Sequence, residues 1–274
     1  MRASALQKLL ASAMLVLSMP VLAASQKDVD DCRQPLEDDR RIAGCTNVIN
    51  DGSTSPRLLS AAFNNRAIAY RHKGQYDQAI QDHNEAIKLT PDFASAFNSR
   101  AIVNSLKGEH DLALQDYNEA IRLNPTDAIA LQNRGVIYRD KGQFDRAIQD
   151  FDEAIKLNPN FVIALNGRCY THAIVGQLQA ALTDCDRSLQ LRPNDGYTLD
   201  VRGHVYLKLG QLDNAIADYN AALKINPQIA GSLYGRGIAQ IRKGNNAEGN
   251  ADVTAAKAIK ADIAKDMSVY GITP

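Results

Sequence analysis

The chain has 274 residues, with 31 Lys and Arg against 31 Asp and Glu, no Trp, and 6% aromatic residues. Balanced charge leaves no net field to draw in nucleic acid or an anionic lipid surface, so neither is an expected partner. So few aromatic residues also argue against a large cofactor cavity, and no cofactor is expected.

In chain order, residues 1–24 read as a signal peptide. Arg2 and Lys8 make a weakly positive start, Leu9 to Met19 is an apolar run, and Val21-Leu22-Ala23 offers small residues for cleavage just after Ala23. The run is too short to span the ~30 Å of a bilayer comfortably, and no Cys stands at the cleavage point to carry a lipid. The expectation is a periplasmic or secreted protein with no membrane insertion after cleavage. Without Arg2 and Lys8 it carries 29 basic against 31 acidic residues.

Residues 25–59 read as an N-terminal capping segment. Its stretch "DRRIAGCTNVI" (39–49) aligns with "DRAIQDFDEAI" (145–155), which sets Cys45 on Phe151 and Val48 on Ala154. Residues 36–50 are therefore predicted to be a lone second helix, a half-repeat. Ser55-Pro56 then supplies the N-cap and first-turn residues of the next helix.

From residue 60 the chain repeats. Gly74, Gly108, Gly142, Gly176, Gly210 and Gly244 are spaced by 34, and so are Pro91, Pro125, Pro159, Pro193 and Pro227. Six units follow, at 60–93, 94–127, 128–161, 162–195, 196–229 and 230–263. In each, apolar residues recur at i, i+3, i+4 and i+7 in two helices. A Gly between them takes positive φ at little cost. Asp77, Asp111, Asp145 and Asp213 begin second helices, where the helix dipole favours an acid. Pro then stops the second helix. A two-helix unit has too little core alone and must stack on its neighbours. The sixth unit is the loosest, with Gly249 and Ala261 where the others carry an early Ala and Pro, which suits a terminal cap. Residues 264–274 are left as a short docked or frayed tail.

Within 128–161, Gly135, Tyr138, Gly142, Phe144, Ala147, Phe151, Ala154 and Pro159 carry the pattern of the tetratricopeptide repeat family, which the chain resembles. The resemblance implies an all-α protein, a right-handed α-solenoid of six full repeats plus an N-terminal half-repeat, and an exported bacterial member. It also implies a concave ligand-facing surface built from the first helices. Mapped onto this chain, one row reads Asn64, Asn98, Gln132, Asn166, then Asp200 and Tyr234. A second reads Asn65, Ser99, Asn133, and a third reads Ile68, Ile102, Val136, Tyr170, His204, Ile238. Ile129, Ile163 and Tyr197 add apolar area. Side-chain amides can both donate to and accept from a peptide backbone, so such rows suit an extended ligand. Against this, the same Asn residues could simply be solvated or cap neighbouring turns. Some family members carry an asparagine ladder at the position of Asn65 and Asn133, but Ser99 and Gly167 interrupt it here. The carboxylate clamp of chaperone-binding members is not expected, because Asn64, Ser95 and Asn133 replace its cations.

One further pattern crosses the apolar stripe. Arg66, Arg100, Arg134, Arg168, Arg202 and Arg236 recur every 34 residues, as do Asp82, Asp116, Asp150, Asp184, Asp218 and Asp252. Each Arg lies level with its Asp across the Gly turn, and a guanidinium grips a carboxylate with two parallel bonds. Pairing within the repeat is expected, because an Asp serving the next repeat would require an acid at position 44, where Gly44 stands.

Four Cys in an exported chain suggest two bridges, Cys32–Cys45 and Cys169–Cys185, the second joining residues level across one hairpin. Four buried thiols are the alternative. No CxxC or HxxxH spacing points to zinc, so no metal is expected. The five His occupy five different repeat positions: His83 and His172 on packing positions, His72 and His204 on inner faces. With no GxSxG, HExxH or phosphate loop, the chain reads as no enzyme. The expected function is a periplasmic scaffold or adaptor that binds a protein or peptide ligand on its concave face. The alternatives are a structural protein with weak self-association and a non-catalytic accessory subunit of an envelope enzyme.

Overall fold

The computed structural model describes residues 24–34 and 37–273, so the predicted leader, apart from Ala24, lies outside the described residues. Helices follow one another in tandem: α1 Gln26–Arg33, α2 Asp38–Asn50, α3 Pro56–His72, α4 Tyr76–Leu89, α5 Ala94–Leu106, α6 His110–Leu123, α7 Ala128–Asp140, α8 Phe144–Leu157, α9 Val162–Val175, α10 Leu178–Leu191, α11 Gly196–Lys208, α12 Leu212–Ile225, α13 Ala230–Arg242, α14 Asn246–Ile259 and α15 Ile263–Val269. This is an α-solenoid, all-α, in which α3 to α14 pair into six helical hairpins. Contacts divide the chain into two compact units, Met1–Thr90 and Pro91–Pro274.

Local chemistry sets the hairpins. The six turn glycines have φ between 72° and 90°, a region open to Gly and strained for other residues. The second helices begin two residues later, with Asp77, Asp111, Asp145 and Asp213 in their first turns. The Asn before Pro has its own task. Asn124, Asn158 and Asn226 each accept, through Oδ1, the amide N–H two residues on, at 3.3, 3.2 and 2.9 Å. That Asx turn stops one helix and redirects the chain into the next.

In the first unit, α2 is not a lone helix, and that expectation is corrected. The short helix α1 packs along α2 and touches α3, so the two make a truncated hairpin. A capping box holds the start of α1: Ser25 accepts from the Asp28 amide while the Asp28 carboxylate accepts from the Ser25 amide. The Ser25 hydroxyl, helped by the Asn47 amide, lowers the Asp28 pKa to about 2. Cys32 and Cys45 are joined across the hairpin with Cα atoms 4.5 Å apart. Gly44 is small for a reason. A Cβ there would stand 2.8 Å from the Asp28 carbonyl oxygen on α1. The register read from the sequence holds for α2, since Lys73 pairs with Asp39 as Lys141 pairs with Asp111 in the second unit. Ser55 caps α3 with Pro56 at its first position.

Three hairpins of the second unit show two ways of filling the centre. The buried Phe151 ring of α8 wedges between Gly135 of its own hairpin and Gly167 of the next. A Cβ would stand 3.0 Å from the ring at Gly135 and 2.7 Å at Gly167. Tyr219 sits in the same way between Gly203 and Gly235. At the equivalent positions of α9–α10, Cys169 and Cys185 form a disulfide with Cα atoms 5.6 Å apart.

The charged residues on the apolar stripe lie on the hairpin interfaces. Arg66–Asp82, Arg100–Asp116, Arg134–Asp150, Arg168–Asp184, Arg202–Asp218 and Arg236–Asp252 are each gripped through Nε and Nη2, inside one hairpin. For Arg134 and Asp150 the two bonds are 2.8 and 2.7 Å, and the Asp150 side chain is 7% exposed. The third arm has no counterpart in the sequence pattern. Nη1 reaches the preceding second helix: Arg66 to Thr46, Arg134 to Asn118, Arg168 to Asp152, Arg202 to Asp186 and Arg236 to Asn220. One guanidinium therefore closes its own hairpin and fastens it to the one before. Hydrogen bonding to Asp184 raises the already high pKa of Arg168 further. Removing one carboxylate would strand a half-buried cation, the costly way to break such a pair.

Candidate interaction surface

Within the second unit, successive first helices α5, α7, α9, α11 and α13 touch one another, while successive second helices make no comparable contact. The first helices therefore line its inner side. The row of amides is unevenly open. Gln132 is buried at 6% exposure, whereas Asn98 and Asn166 are half-buried. Asn98 donates to Asp127 at 3.4 Å, and Asp127 in turn caps α7 by accepting from the amides of Ile129 and Ala130. The Oδ1 atoms of Asn98 and Asn166 are buried with no hydrogen-bond partner. Asn133 is half-buried beside them.

Ile129, Ile163 and Tyr197 stand 54%, 53% and 48% exposed along the same side. Apolar residues at that exposure, spaced one per repeat, form a stripe rather than isolated side chains. The third row changes character along the chain. Ile102, Val136 and Tyr170 are half-buried, but His204 is 2% and Ile238 1% exposed.

The cause is the tail, which folds back onto the inner side. Helix α15 packs on α13 and α14, and Ile263, Met267 and Ile272 are buried there. Beyond it, the Tyr270 ring stacks on His204 at 5.0 Å and meets Tyr170 edge-on at 5.4 Å. Arg242 donates to the Thr273 carbonyl at 3.1 Å. Tyr170 also stacks with Tyr197 at 6.0 Å and lies 4.8 Å beneath the Arg139 guanidinium. Burial pushes the Tyr270 hydroxyl well above its ordinary pKa and the His204 imidazole below its own. His204 and Ile238 are thus covered, and the open part of the inner side runs over α5, α7 and α9.

In the first unit, Asn64 is 6% exposed with a partnerless Oδ1, while Asn65 and Ile68 are half-buried. His72 pairs with Asp38 at 3.1 Å. His83 and His172 are packed inside. Among the described residues no group of three or more His, Cys, Asp or Glu is placed to hold a metal, and no helix is long and apolar enough to cross a membrane.

Two family profiles match the chain: the tetratricopeptide repeat at residues 60–93 and 128–161, and the TPR repeat at 105–138 and 203–244. No curated protein sequence matches it. Among solved structures, it is similar to a tetratricopeptide repeat protein from Parabacteroides merdae, with 20% identity, 86% of this chain and 93% of that chain covered, and a TM-score of 0.63. It is similar to PilF of Pseudomonas aeruginosa at 19% identity, 75% and 94% coverage and a TM-score of 0.67. YrrB, a TPR protein with an unusual peptide-binding site, is 22% identical over 69% of this chain and 96% of that one, with a TM-score of 0.55. At these identities the likeness is one of fold.

Proposed function

We propose that this chain, which belongs to the tetratricopeptide repeat family, is a non-catalytic adaptor that holds an extended protein segment on its inner side. The segment lies over α5, α7 and α9 of the second unit. One observation carries this reading: the exposed stripe of Ile129 and Ile163 runs along the same side as the half-buried side-chain amides of Asn98 and Asn166. Apolar pockets spaced along a row of amides suit a peptide backbone with alternating side chains. Asn133 and Val136 complete the contact. The two cystines and the signal-like start support an oxidising envelope compartment such as the periplasm.

The test uses a phage-displayed library of random extended peptides selected on the pure protein. Selected peptides should bind Ile129→Ser/Ile163→Ser at least about tenfold more weakly, with the melting temperature unchanged because both side chains are exposed. Peptides that hold equally well to the variant would sink the proposal. Light scattering of the pure protein tests the alternative, since assembly that rises with concentration and ignores these substitutions favours self-association.

A further inference from the structure

Where the tail crosses the inner side of the second unit, it borders a half-open pocket of about 300 Å³. Tyr170, His204, Met267 and Tyr270 line it with apolar and ring surface, and Gly231 opens it towards Asp200. Three of its features need explaining together.

First, Asp200 is a carboxylate with no cation. Its side chain is 16% exposed, Oδ1 accepts a short hydrogen bond from the Ser232 hydroxyl, and no Lys or Arg lies within ion-pair distance among the described residues. A charge so enclosed is costly unless something compensates it. Second, His204 is 2% exposed, and its ring reaches no side-chain hydrogen-bond partner, only the Asp200 backbone. Its Nδ1 stands 3.6 Å from Asp200 Oδ2, too far for a good bond. Burial lowers its pKa, against the pull of the Asp200 carboxylate. Third, the other acid of the lining, Asp266, is already paired with Lys260, which leaves Asp200 as the uncompensated carboxylate.

We propose that this cavity is a binding site for a small organic cation, an alkylammonium or guanidinium group seated against Asp200 and flanked by the rings of Tyr170, Tyr270 and His204. A carboxylate supplies a charge-assisted bond, and the rings add faces and edges that attract a cation, as Tyr170 already does for the Arg139 guanidinium at 4.8 Å. Gly231 matters because a Cβ there would stand 3.3 Å from Asp200 Oδ2, on the approach to the carboxylate. The volume is at the small end of the ~300–1,000 Å³ of ligand pockets, which suits an amine or one side chain rather than a cofactor. The cation is either a free amine or a Lys or Arg side chain, and the cavity stands independently of the groove proposed above.

The experiment is calorimetric titration of the oxidised full chain with n-butylammonium, n-butylguanidinium and choline, alongside neutral 3,3-dimethylbutanol and a blocked Ala-Lys-Ala tripeptide. At least one cation should bind, the neutral alcohol should not, and Asp200→Asn should weaken binding at least about tenfold. Tyr170→Leu serves as the second variant if Asp200→Asn lowers the melting temperature. Binding of the small amines alone points to a free ligand, and binding of the tripeptide alone points to a side chain. No cation binding stronger than roughly 10 mM, or equal binding of the neutral alcohol, overturns the proposal.

Discussion

Hairpins α7–α8 and α9–α10 are neighbours in one unit, with the same Gly turn and the same Arg–Asp fork, Arg134 with Asp150 and Arg168 with Asp184. They differ in what joins their two helices at the centre. In α7–α8 a Phe151 ring fills the space, and both flanking first helices carry Gly where the ring presses, at Gly135 and Gly167. In α9–α10 the Cys169–Cys185 disulfide takes that place and presses on nothing comparable, so the next first helix carries the buried Val201 where Gly167 stood. The Phe151 ring constrains its neighbour's sequence at Gly167, as Tyr219 does at Gly235, whereas the Tyr117 ring is followed by Asn133 and the disulfide by Val201. This accounts for one of the two breaks in the asparagine row, the one at Gly167. Gly167 breaks it because the Phe151 ring occupies the room that an Asn side chain would need.

Breaking the ring should have the largest effect. Phe151→Ala leaves a void walled on two sides by Gly135 and Gly167, which have no side chains to fill it. The expected loss is ~3–5 kcal/mol, read from the urea midpoint at constant slope. A loss below about 1 kcal/mol would mean that the ring does not hold the two hairpins together.

Opening the disulfide comes next. Cys169→Ala with Cys185→Ala should cost ~3 kcal/mol in the loop-entropy description. The change should also stay local. Hydrogen exchange should quicken in α9–α10 while α7–α8 keeps its protection, since that centre is a ring and not a bond. Equal loosening of both hairpins would erase the distinction.

How far the sequence reveals these differences depends on whether the partners recur. The Arg–Asp forks are legible because both residues return every 34 positions at mirror-related places about the turn. The third arm of each Arg is not, because its acceptor varies among Thr46, Asn118, Asp152, Asp186 and Asn220. Helix α1 escapes notice for want of a stripe, offering only Val29 and Cys32 as apolar residues in eight positions. The tail did leave a signal, with Ile263, Met267 and Tyr270 at i, i+4 and i+7, the spacing of one helical face. What that face would cover is not written nearby. The burial of His204 arises from contacts with residues far along the chain, and a periodic reading treats His204 as the open equivalent of Val136.

The smallest effect is also the most discriminating. Gly167→Ala adds one methyl group, which would begin 2.7 Å from the Phe151 ring and so force the ring or α9 to move. Overpacking of this kind costs ~1–3 kcal/mol. The loss of a helical glycine acts in the opposite direction, since Ala is favoured over Gly in a helix by about 1 kcal/mol. The net change is therefore small, and its sign alone decides little. Coupling decides it. In a Phe151→Ala background the methyl group meets open space, and Gly167→Ala should then stabilise the chain by about 1 kcal/mol. A double-mutant cycle should return a coupling energy of roughly 1–3 kcal/mol, against the ~0.5 kcal/mol expected of independent sites. Additive behaviour would show that Gly167 is not held small by the ring, and the gap in the asparagine row would then need another cause. The same cycle built on Val201→Gly and the Cys169–Cys185 pair should show no ring-like clash, because the disulfide leaves the neighbouring helix free to carry Val201.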